Sequence, residues 1–346
     1  MSFALVIAMD KVSIFVVYYN STKISDLVTE SLKSLKDLDY PNYEVILVDN
    51  GSTDSTLKLL KEKSPSFFKV VRSEKNLYFG GGNNLAMKYS SKEAKWFYTV
   101  NPDAIPYSTS LKDLMERMEG ERNVIASQGM ILTDKKKIDT GRFVSDAGSV
   151  IRLHNWLDPK KEYFVTYATG AMMLLRSDVY RRRGFIFHEV PLLYFDSNIL
   201  GIEAYNMGFK VRYYPIETGY HKGRGNTPID ISEFFITAST ILFILETNSK
   251  FSKFLRLQEF SNIVKENIRS YVQKKKMASA QRILKAYELA FRLHKSLKLG
   301  LSIYKAPHIE FPFSFFFMDM FSSSIRKKIL GDLNKSRLVI PSWINE

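Results

Sequence analysis

The chain has 346 residues, of which 45% are hydrophobic and 25% charged, a balance typical of globular proteins and not of disordered ones. It contains no cysteine, which excludes disulfide bonds, thiolate metal sites and a cysteine nucleophile. The formal net charge is +14, and residues 250–346 carry 19 Lys and Arg against 7 Asp and Glu, a difference of +12. This basic part predicts contact with nucleic acid or an anionic membrane, unless it is only a solvated face.

Predicted strands and helices alternate along the first part of the chain. Helix-start signals follow Tyr19, Asp49 and Arg72, where asparagine, serine, threonine and glycine cluster. Alternation with short connections predicts an α/β fold with a doubly wound, mostly parallel sheet. The predicted strands are Val12–Tyr19, Tyr43–Asp49, Phe68–Arg72 and a fourth that begins at Trp96.

The fourth predicted strand stops at Asn101-Pro102-Asp103. A carboxylate at the carboxyl end of a buried strand lies where open α/β sheets bind ligands. Hard cations such as Mg²⁺ and Mn²⁺ take oxygen ligands, and nucleoside diphosphates usually bring one. Asp103 is therefore predicted to hold a metal-bound nucleotide-sugar, with a plain Asx turn as the alternative.

Other nucleotide-binding motifs are missing from the sequence. The segment after the first strand has neither the G-x-G-x-x-G of dinucleotide folds nor a P-loop, and no glycine-rich loop of the kind that sugar nucleotidyltransferases carry. Gly80-Gly81-Gly82 comes only after the third strand. We interpret it as a loop that either takes up a tight turn with positive φ or lets the backbone approach a ligand.

Three motifs in order resemble glycosyltransferase family 2, the inverting nucleotide-sugar enzymes with the GT-A fold, and most closely its rhamnosyltransferase-like branch. They are V-D-N-G-S-T-D at Val48–Asp54, N-L-Y-F-G-G-G-N-N at Asn76–Asn84, and Asn101-Pro102-Asp103. Tyr78 stands where that family usually has glycine. The resemblance extends over about Val12–Thr227, which predicts a nucleotide-sugar and acceptor domain at residues 1–228.

The resemblance implies a metal-dependent transfer of a sugar from a UDP-, dTDP- or GDP-linked donor to a hydroxyl of a lipid-linked or glycan acceptor. It implies that Asp103 and His221 hold Mg²⁺ or Mn²⁺, although a lone histidine can also be purely structural. Lys222 and Arg224 beside His221 add positive charge suited to phosphate. The predicted substrate-binding residues are Asp49, Asn50, Asn76, Gly81, Gly82, Asn83, Asn84, Asn101, Gly170, Glu189 and Lys222.

The general base is predicted from the segment Phe187–Ser197, which is similar to the family pattern F-D-E-x-x-F-x-Y-x-E-D. The family's base is the last carboxylate of that pattern, and here the last two positions are Asp196 and Ser197. Serine cannot act as a base near neutral pH, so the resemblance leaves Asp196 as the catalytic residue, with Glu189 as a more distant candidate. The alternative is an impaired enzyme that only binds nucleotide-sugar. Asp196 could instead cap the helix that follows it.

Residues 229–346 are predicted to form a basic, mostly helical C-terminal extension. Apolar residues recur there at three- and four-residue steps, so the helices either pack as ordinary core or lie on an anionic membrane. An aromatic cluster at Phe311–Phe321 favours an interface. We find no nucleic-acid-binding module and no run long enough to span a membrane, and we expect a cytoplasmic protein, peripheral at the inner face of the cell membrane.

Overall fold

The computed structural model describes residues 9–133, 137–148, 150–152, 157–223, 229–312 and 336–345. The chain forms two compact units. Unit 1 comprises Met1–Ile138, Gly170–Glu189 and Tyr214–Asn226, and unit 2 comprises Asp139–Thr169, Val190–Tyr213 and Thr227–Glu346. The units divide the chain differently from the expected boundary at residue 228, because two segments of the first part share a core with the C-terminal helices. The boundary itself stays a prediction.

Helices and strands alternate over the first hundred or so described residues, as the sequence predicts. The strands are β1 Val12–Tyr18, β2 Tyr43–Asp49, β3 Lys69–Arg72, β4 Trp96–Val100, β5 Ala104–Pro106, β6 Val124–Thr133, β7 Lys137–Asp139, β8 Arg142–Ser145, β9 Val150–Arg152, β10 Tyr163–Phe164, β11 Met172–Arg176, β12 Lys210–His221, β13 Thr247–Asn248, β14 Leu301–Ser302, β15 His308–Glu310 and β16 Arg337–Val339. The helices are α1 Ser25–Lys36, α2 Thr56–Lys63, α3 Tyr78–Tyr89, α4 Ser110–Met118, α5 Ser177–Arg183, α6 Asp196–Asn206, α7 Ile229–Glu246, α8 Lys253–Gln273 and α9 Met277–Leu297.

The sheet of unit 1 has the order β12-β6-β11-β4-β1-β2-β3, and β5 pairs with the end of β12. Strands β3, β2, β1 and β4 run parallel, whereas β11 is antiparallel to β4 and β6. This confirms the prediction of an α/β fold with a mostly parallel sheet. Strands β1, β2 and β4 are apolar along most of their length, and almost all their residues are buried. Such runs are typical of parallel strands that helices cover on both faces. Their carboxyl ends meet at one edge, where the motifs lie.

The glycine-rich stretch is helical, and our interpretation of it as a loop was wrong. Helix α3 begins at Tyr78 and contains all three glycines, none of which has a positive φ. A Cβ built on Gly82 would lie 2.5 Å from Val17 Cγ1, and one on Gly81 would lie 2.8 Å from Leu77 Cβ. Gly82 therefore lets α3 pack closely against β1, and Gly81 leaves room for Leu77 at the start of the same helix; helix periodicity alone predicts neither contact. The positive φ falls on Tyr78, at +58°.

Unit 2 has a core built by α6, α7 and α9 with strand and loop residues around them. The fully buried cluster includes Val144, Phe195, Ile199, Leu242 and Ala290. Partly buried Leu257, Phe260, Tyr287 and Leu297 pack against the same cluster, so most of the apolar stripes of α8 and α9 serve as core. A small sheet of order β16-β15-β8-β9 belongs to this unit.

Two groups of side chains in the C-terminal part bear on membrane contact. Phe254 on α8 and Phe291 on α9 belong to the apolar residues that recur at three- and four-residue steps, but both are exposed. Most of the aromatic cluster expected at Phe311–Phe321 lies outside the described residues. Among the helices that the structure describes, none is long and apolar enough to cross a membrane.

Candidate functional site

Asp103 and His221 lie side by side in unit 1. The end of β12 pairs antiparallel with β5, which places His221 opposite Ala104 and therefore next to Asp103. The His221 Nε2 atom is 3.1 Å from Asp103 Oδ1, and the backbone N–H of Lys222 donates to the Asp103 carbonyl at 3.1 Å. Both side chains are largely buried at the edge where the parallel strands end. The structure thus brings together the two residues predicted to bind the metal, which lie 118 positions apart.

Asn101 completes this cluster. Its Nδ2 atom is 3.3 Å from His221 Nε2, the same ring nitrogen that faces the Asp103 carboxylate. The backbone around Asn101 is tied on both sides: its N–H donates to the Ala171 carbonyl and its carbonyl accepts from Ala104. Arg224, the other predicted cation, lies outside the described residues.

The donor set fits a divalent cation only in part. Asp103 and His221 supply one carboxylate and one imidazole, and no group of three or more His, Cys, Asp or Glu able to hold a metal occurs among the described residues. A cation here would need further oxygen ligands, which a diphosphate carries. The residues present therefore suit a metal that arrives with, or is completed by, a phosphorylated ligand.

Asp49 is buried at the end of β2 and is held by its own surroundings. Its Oδ1 atom accepts from the Ser52 N–H at 3.3 Å, and its Oδ2 atom lies 3.5 Å from Nε of Arg72. Arg72 ends β3, directly beside Asp49 in the parallel register. Arg72 was not predicted as a neighbour of Asp49, although the opposite charges at the ends of two successive predicted strands could have indicated the contact. Contact between Asp49 and a nucleotide stays a prediction.

Asn50 and Asn76 shape the segment that leads into α3. Asn50 Nδ2 donates to the Asn76 side chain and to the Tyr78 carbonyl, while its Oδ1 accepts from the Leu77 N–H at 2.9 Å. Asn76 Oδ1 also accepts from the Tyr78 N–H at 2.7 Å. These bonds hold Tyr78 in its left-handed conformation. In this structure both asparagines position backbone, and their predicted contact with substrate stays a prediction.

Asn84 fastens the segment before the predicted base to α3. Its Oδ1 accepts from the N–H groups of Ile186 and Phe187, and its Nδ2 donates to the Phe187 carbonyl and to Glu189 Oε1. These bonds use the amide within the protein, and the predicted contact of Asn84 with substrate stays a prediction. Glu189 is exposed, and its Oε2 atom takes no part in these bonds.

Asn83 differs from its neighbour. Its Nδ2 donates to the Phe79 carbonyl one turn earlier, whereas its buried Oδ1 has no hydrogen-bond partner within the described part of the chain. A buried amide oxygen without a partner costs free energy, so such an atom is a candidate acceptor for a ligand donor. Gly170 is buried, and its carbonyl accepts from the Thr99 hydroxyl at 3.1 Å. The exposed Lys222 lines an open cleft with Lys23 and other residues at the start of α1.

Asp196 is the first residue of α6 in unit 2. It is 5% exposed, and its Oδ1 has no hydrogen-bond partner among the residues that the structure describes. Phe195 stands at the N-cap position of α6 and Asp196 is the first residue inside the helix, so Asp196 is not the N-cap residue. Burial raises the pKa of the Asp196 carboxyl from 3.8 to about 7, partly opposed by a hydrogen bond from its own backbone. A carboxyl with that pKa can give and take a proton near neutral pH.

The chain has the GT-A fold, which solved glycosyltransferases share. The mannosyltransferase PcManGT of Pyrobaculum calidifontis, solved with GDP-Man and Mn²⁺, aligns with a TM-score of 0.51 at 14% identity over 83% of each chain. Residues 1–349 of TarS from Staphylococcus aureus, solved with UDP-GlcNAc, align with a TM-score of 0.50 at 19% identity over 80% of this chain and 79% of that one. Both likenesses concern the fold.

Sequence comparison gives the family. The model of "Glycosyl transferase family 2" matches residues 13–184, and the chain belongs to glycosyltransferase family 2. An uncharacterized glycosyltransferase of Haemophilus influenzae is 27% identical over 184 residues, covering 51% of this chain and 55% of that protein. The poly(ribitol-phosphate) β-N-acetylglucosaminyltransferase TarS is 28% identical over 181 residues, or 50% and 30%. The chain thus spans about half or less of these relatives' length. The rhamnosyltransferase-like branch stays a prediction.

Proposed function

We propose that this chain is an inverting, metal-dependent glycosyltransferase that moves a sugar from a nucleotide-sugar to an acceptor hydroxyl. The observation that carries the proposal is the Asp103–His221 pair at the carboxyl edge of the unit 1 sheet, 3.1 Å apart. Structural neighbours solved with UDP-GlcNAc and with GDP-Man and Mn²⁺ support a donor of this class. Relatives that act on poly(ribitol-phosphate) support a role in the assembly of glycans or other cell-surface polymers, with a lipid-linked or glycan acceptor.

Departure of the nucleoside diphosphate builds negative charge, which a divalent cation stabilises as a Lewis acid. Asp103 and His221 would hold that cation, with the Asn101 side chain beside the same imidazole nitrogen. An imidazole nitrogen is a poor ligand for Mg²⁺, which prefers oxygen, so we propose Mn²⁺ as the preferred ion. The exposed Lys222 adds positive charge beside the pair.

The acceptor hydroxyl must lose its proton as its oxygen attacks the anomeric carbon. The bond from that carbon to the diphosphate oxygen breaks with its electron pair, and the proton passes to the Asp196 carboxylate. Direct displacement inverts the anomeric centre and needs no covalent enzyme intermediate. The buried carboxyl with an unpartnered Oδ1 and a pKa of about 7 supports Asp196 for this role, because a general base works best with a pKa near the operating pH.

Binding of nucleoside diphosphates by titration calorimetry tests the metal site. UDP, GDP and dTDP are titrated with and without Mn²⁺ into the native chain, Asp103→Asn and His221→Ala. We expect Mn²⁺ to strengthen binding of one nucleotide to the native chain by about tenfold or more, which is 1.4 kcal/mol. Both variants should lose that gain, whereas the exposed control Asp39→Asn should keep it. Equal affinity with and without Mn²⁺ would refute the metal site.

The pH dependence of turnover tests the base. The kcat of the native chain should rise with pH through about 7 as Asp196 loses its proton, and then level off. Asp196→Asn should abolish turnover, whereas Ser197→Ala should keep both the rate and the pH profile. If Ser197→Ala loses as much activity as Asp196→Asn, the assignment of the base is wrong.

A second candidate function is that of a nucleotide-sugar-binding protein of glycan assembly that has lost its catalysis. Ser197 favours it, because it replaces a carboxylate at the position where the family pattern has its base. Such a protein would bind a donor in the calorimetric experiment and would release no nucleoside diphosphate from it with any acceptor. Turnover therefore separates the two candidates.

We also propose that unit 2 docks on an anionic membrane surface, at the cytoplasmic face of the cell membrane, through the outer face of α9. Met277, Leu284 and Phe291 are 53%, 54% and 44% exposed, and their spacing of seven residues aligns them along one line of the helix. Lys285, Arg292 and Lys295 flank this line, and Lys274-Lys275-Lys276 precedes the helix. Apolar side chains among cations suit an interface with acidic lipids. A dimer formed through this face is disfavoured, because it would bring the cations of the two copies together.

Cosedimentation with vesicles tests this surface. The native chain should bind vesicles of phosphatidylcholine with phosphatidylglycerol, less so at high salt, and should not bind phosphatidylcholine alone. Leu284→Ser with Phe291→Ser should lose this binding, whereas Phe67→Ser, which alters a residue that is 55% exposed in unit 1, should keep it. Absence of binding by the native chain, or equal binding by the double variant, would refute the membrane proposal.

A further inference from the structure

Tyr194 combines two unusual properties. Its φ is +68°, in the left-handed region that bulky side chains rarely adopt, and its side chain is 48% exposed. It lies two residues before Asp196 in unit 2. Strained backbone at a non-glycine residue persists only where the surroundings impose it, and it concentrates at functional sites.

The neighbours of Tyr194 hold the strained backbone in place. Phe195 is completely buried in the unit 2 core, as is Leu192 on the other side. The Ser239 hydroxyl donates to the Leu193 carbonyl, and the Tyr194 Oη lies 3.5 Å from Ser232 Oγ on α7. The chain is therefore pinned on both sides of Tyr194, while much of the ring stays in solvent.

Packing does not account for a tyrosine at this position. Glycine would adopt the same φ without a steric penalty, and a half-exposed ring contributes less burial than a core aromatic residue does. The ring instead offers an apolar face beside a polar hydroxyl. Pyranose rings have apolar faces of C–H groups and polar edges of hydroxyl groups, so the two surfaces are complementary.

We propose that Tyr194 is the platform on which a sugar ring of the acceptor lies while the reacting hydroxyl reaches the Asp196 carboxylate. This inference rests on the proposed transferase function and deepens it, because it makes the acceptor a carbohydrate at the point of attack. Tyr194 acts by positioning the acceptor and exchanges no proton. Its removal therefore weakens the use of acceptor and leaves the use of donor intact.

The experiment measures release of nucleoside diphosphate from the best donor of a UDP-, GDP- and dTDP-sugar panel. The acceptor probes are octyl glucoside, octyl galactoside, octyl N-acetylglucosaminide and octyl rhamnoside, with water alone as the reference. The variants are Tyr194→Ala, Tyr194→Gly and Tyr194→Phe. The control is Tyr89→Ala, which removes a tyrosine of similar exposure, 46%, from unit 1.

We expect at least one glycoside to accelerate release above the rate with water. Tyr194→Ala and Tyr194→Gly should raise the KM for that glycoside about fivefold or more, with kcat and hydrolysis by water little changed. Tyr194→Phe keeps the apolar face and should raise the KM less than Tyr194→Ala does, whereas Tyr89→Ala should behave as the native chain does. Because glycine suits a φ of +68°, Tyr194→Gly should fold normally, so its high KM cannot be attributed to unfolding.

Three results would overturn the inference while leaving the transferase proposal intact. The first is an unchanged KM in Tyr194→Ala and Tyr194→Gly, and the second is donor hydrolysis by water that no glycoside accelerates. The third is a change of kcat and of hydrolysis by the same factor, which would assign Tyr194 a structural role. Absence of any donor-dependent release would instead refute the proposed function itself.

Discussion

At the scale of single residues, Asp196 carries an energetic cost that a purely structural residue would not need. Its folded pKa of about 7 is above the 3.8 of an ordinary aspartate, so the folded chain favours the protonated form. The stabilisation from this group is complete below about pH 4 and is lost as the pH rises through about 7. At pH 8 the folded chain holds a buried carboxylate whose Oδ1 no described residue satisfies.

Asp196→Asn should therefore stabilise the protein at pH 8 while it abolishes turnover. The shift in pKa corresponds to roughly 4 kcal/mol as an upper figure, and a gain on the order of 1–4 kcal/mol is expected at pH 8. At pH 4 the gain should vanish, because the native carboxyl is then protonated as well. Thermal melts at both pH values measure this, with the exposed Asp39→Asn as control. A variant less stable than the native chain at pH 8 would contradict the raised pKa.

Asn84, a residue of the second motif, binds backbone N–H groups of another segment through its side chain. Asn84→Ala would leave the N–H groups of Ile186 and Phe187 without their acceptor, at about 1–3 kcal/mol each. We expect a loss of about 2–5 kcal/mol in the free energy of unfolding, measured by urea denaturation. Asn123→Ala, at an exposed asparagine, should change it little. A neutral Asn84→Ala would show that these bonds contribute little to stability.

At the scale of elements, α3 shows where sequence reasoning failed and why. The motif Asn76–Asn84 was found by its letters, but three consecutive glycines normally favour a loop over a helix interior. Tertiary packing decides otherwise, because only a glycine at 82 lets the helix approach Val17 of β1. The unusual Tyr78 adopts the positive φ at the position where the family has glycine. The conformation of Tyr78 thus depends on Asn50, which directly follows β2 and forms hydrogen bonds with Leu77 and Tyr78.

Gly82→Ala tests the packing of α3 on β1. Alanine favours a helix by about 1 kcal/mol over glycine, yet its Cβ would lie 2.5 Å from Val17 Cγ1, and overpacking costs about 1–3 kcal/mol. We expect a net loss of stability in Gly82→Ala and at least partial recovery in the double variant Gly82→Ala, Val17→Ala, in comparison with Val17→Ala alone. Unfolding by urea gives both values. A stabilised single variant would show that the helix has room for the methyl group.

At the scale of the whole molecule, the parallel strands and the polar motifs at their ends were predictable because each is encoded locally. Buried strands read as apolar runs, and the Asn101-Pro102-Asp103 stop follows one of them directly. The Asp103–His221 contact was suggested only by the resemblance, since β5 and β12 pair across more than a hundred residues. The division into two units was not predictable, because Asp139–Thr169 and Val190–Tyr213 join the C-terminal helices in one core.

The most direct test of this account is the release of nucleoside diphosphate, with Mn²⁺, from a panel of UDP-, GDP- and dTDP-sugars in the presence of crude lipid and glycan acceptors. It is run on the native chain, Asp103→Ala and Asp196→Ala. We predict release from one class of donor, lost in both variants and absent without a divalent cation. Release that persists in Asp103→Ala would contradict the metal site, and binding of donor without release by the native chain would contradict the assignment as a working transferase.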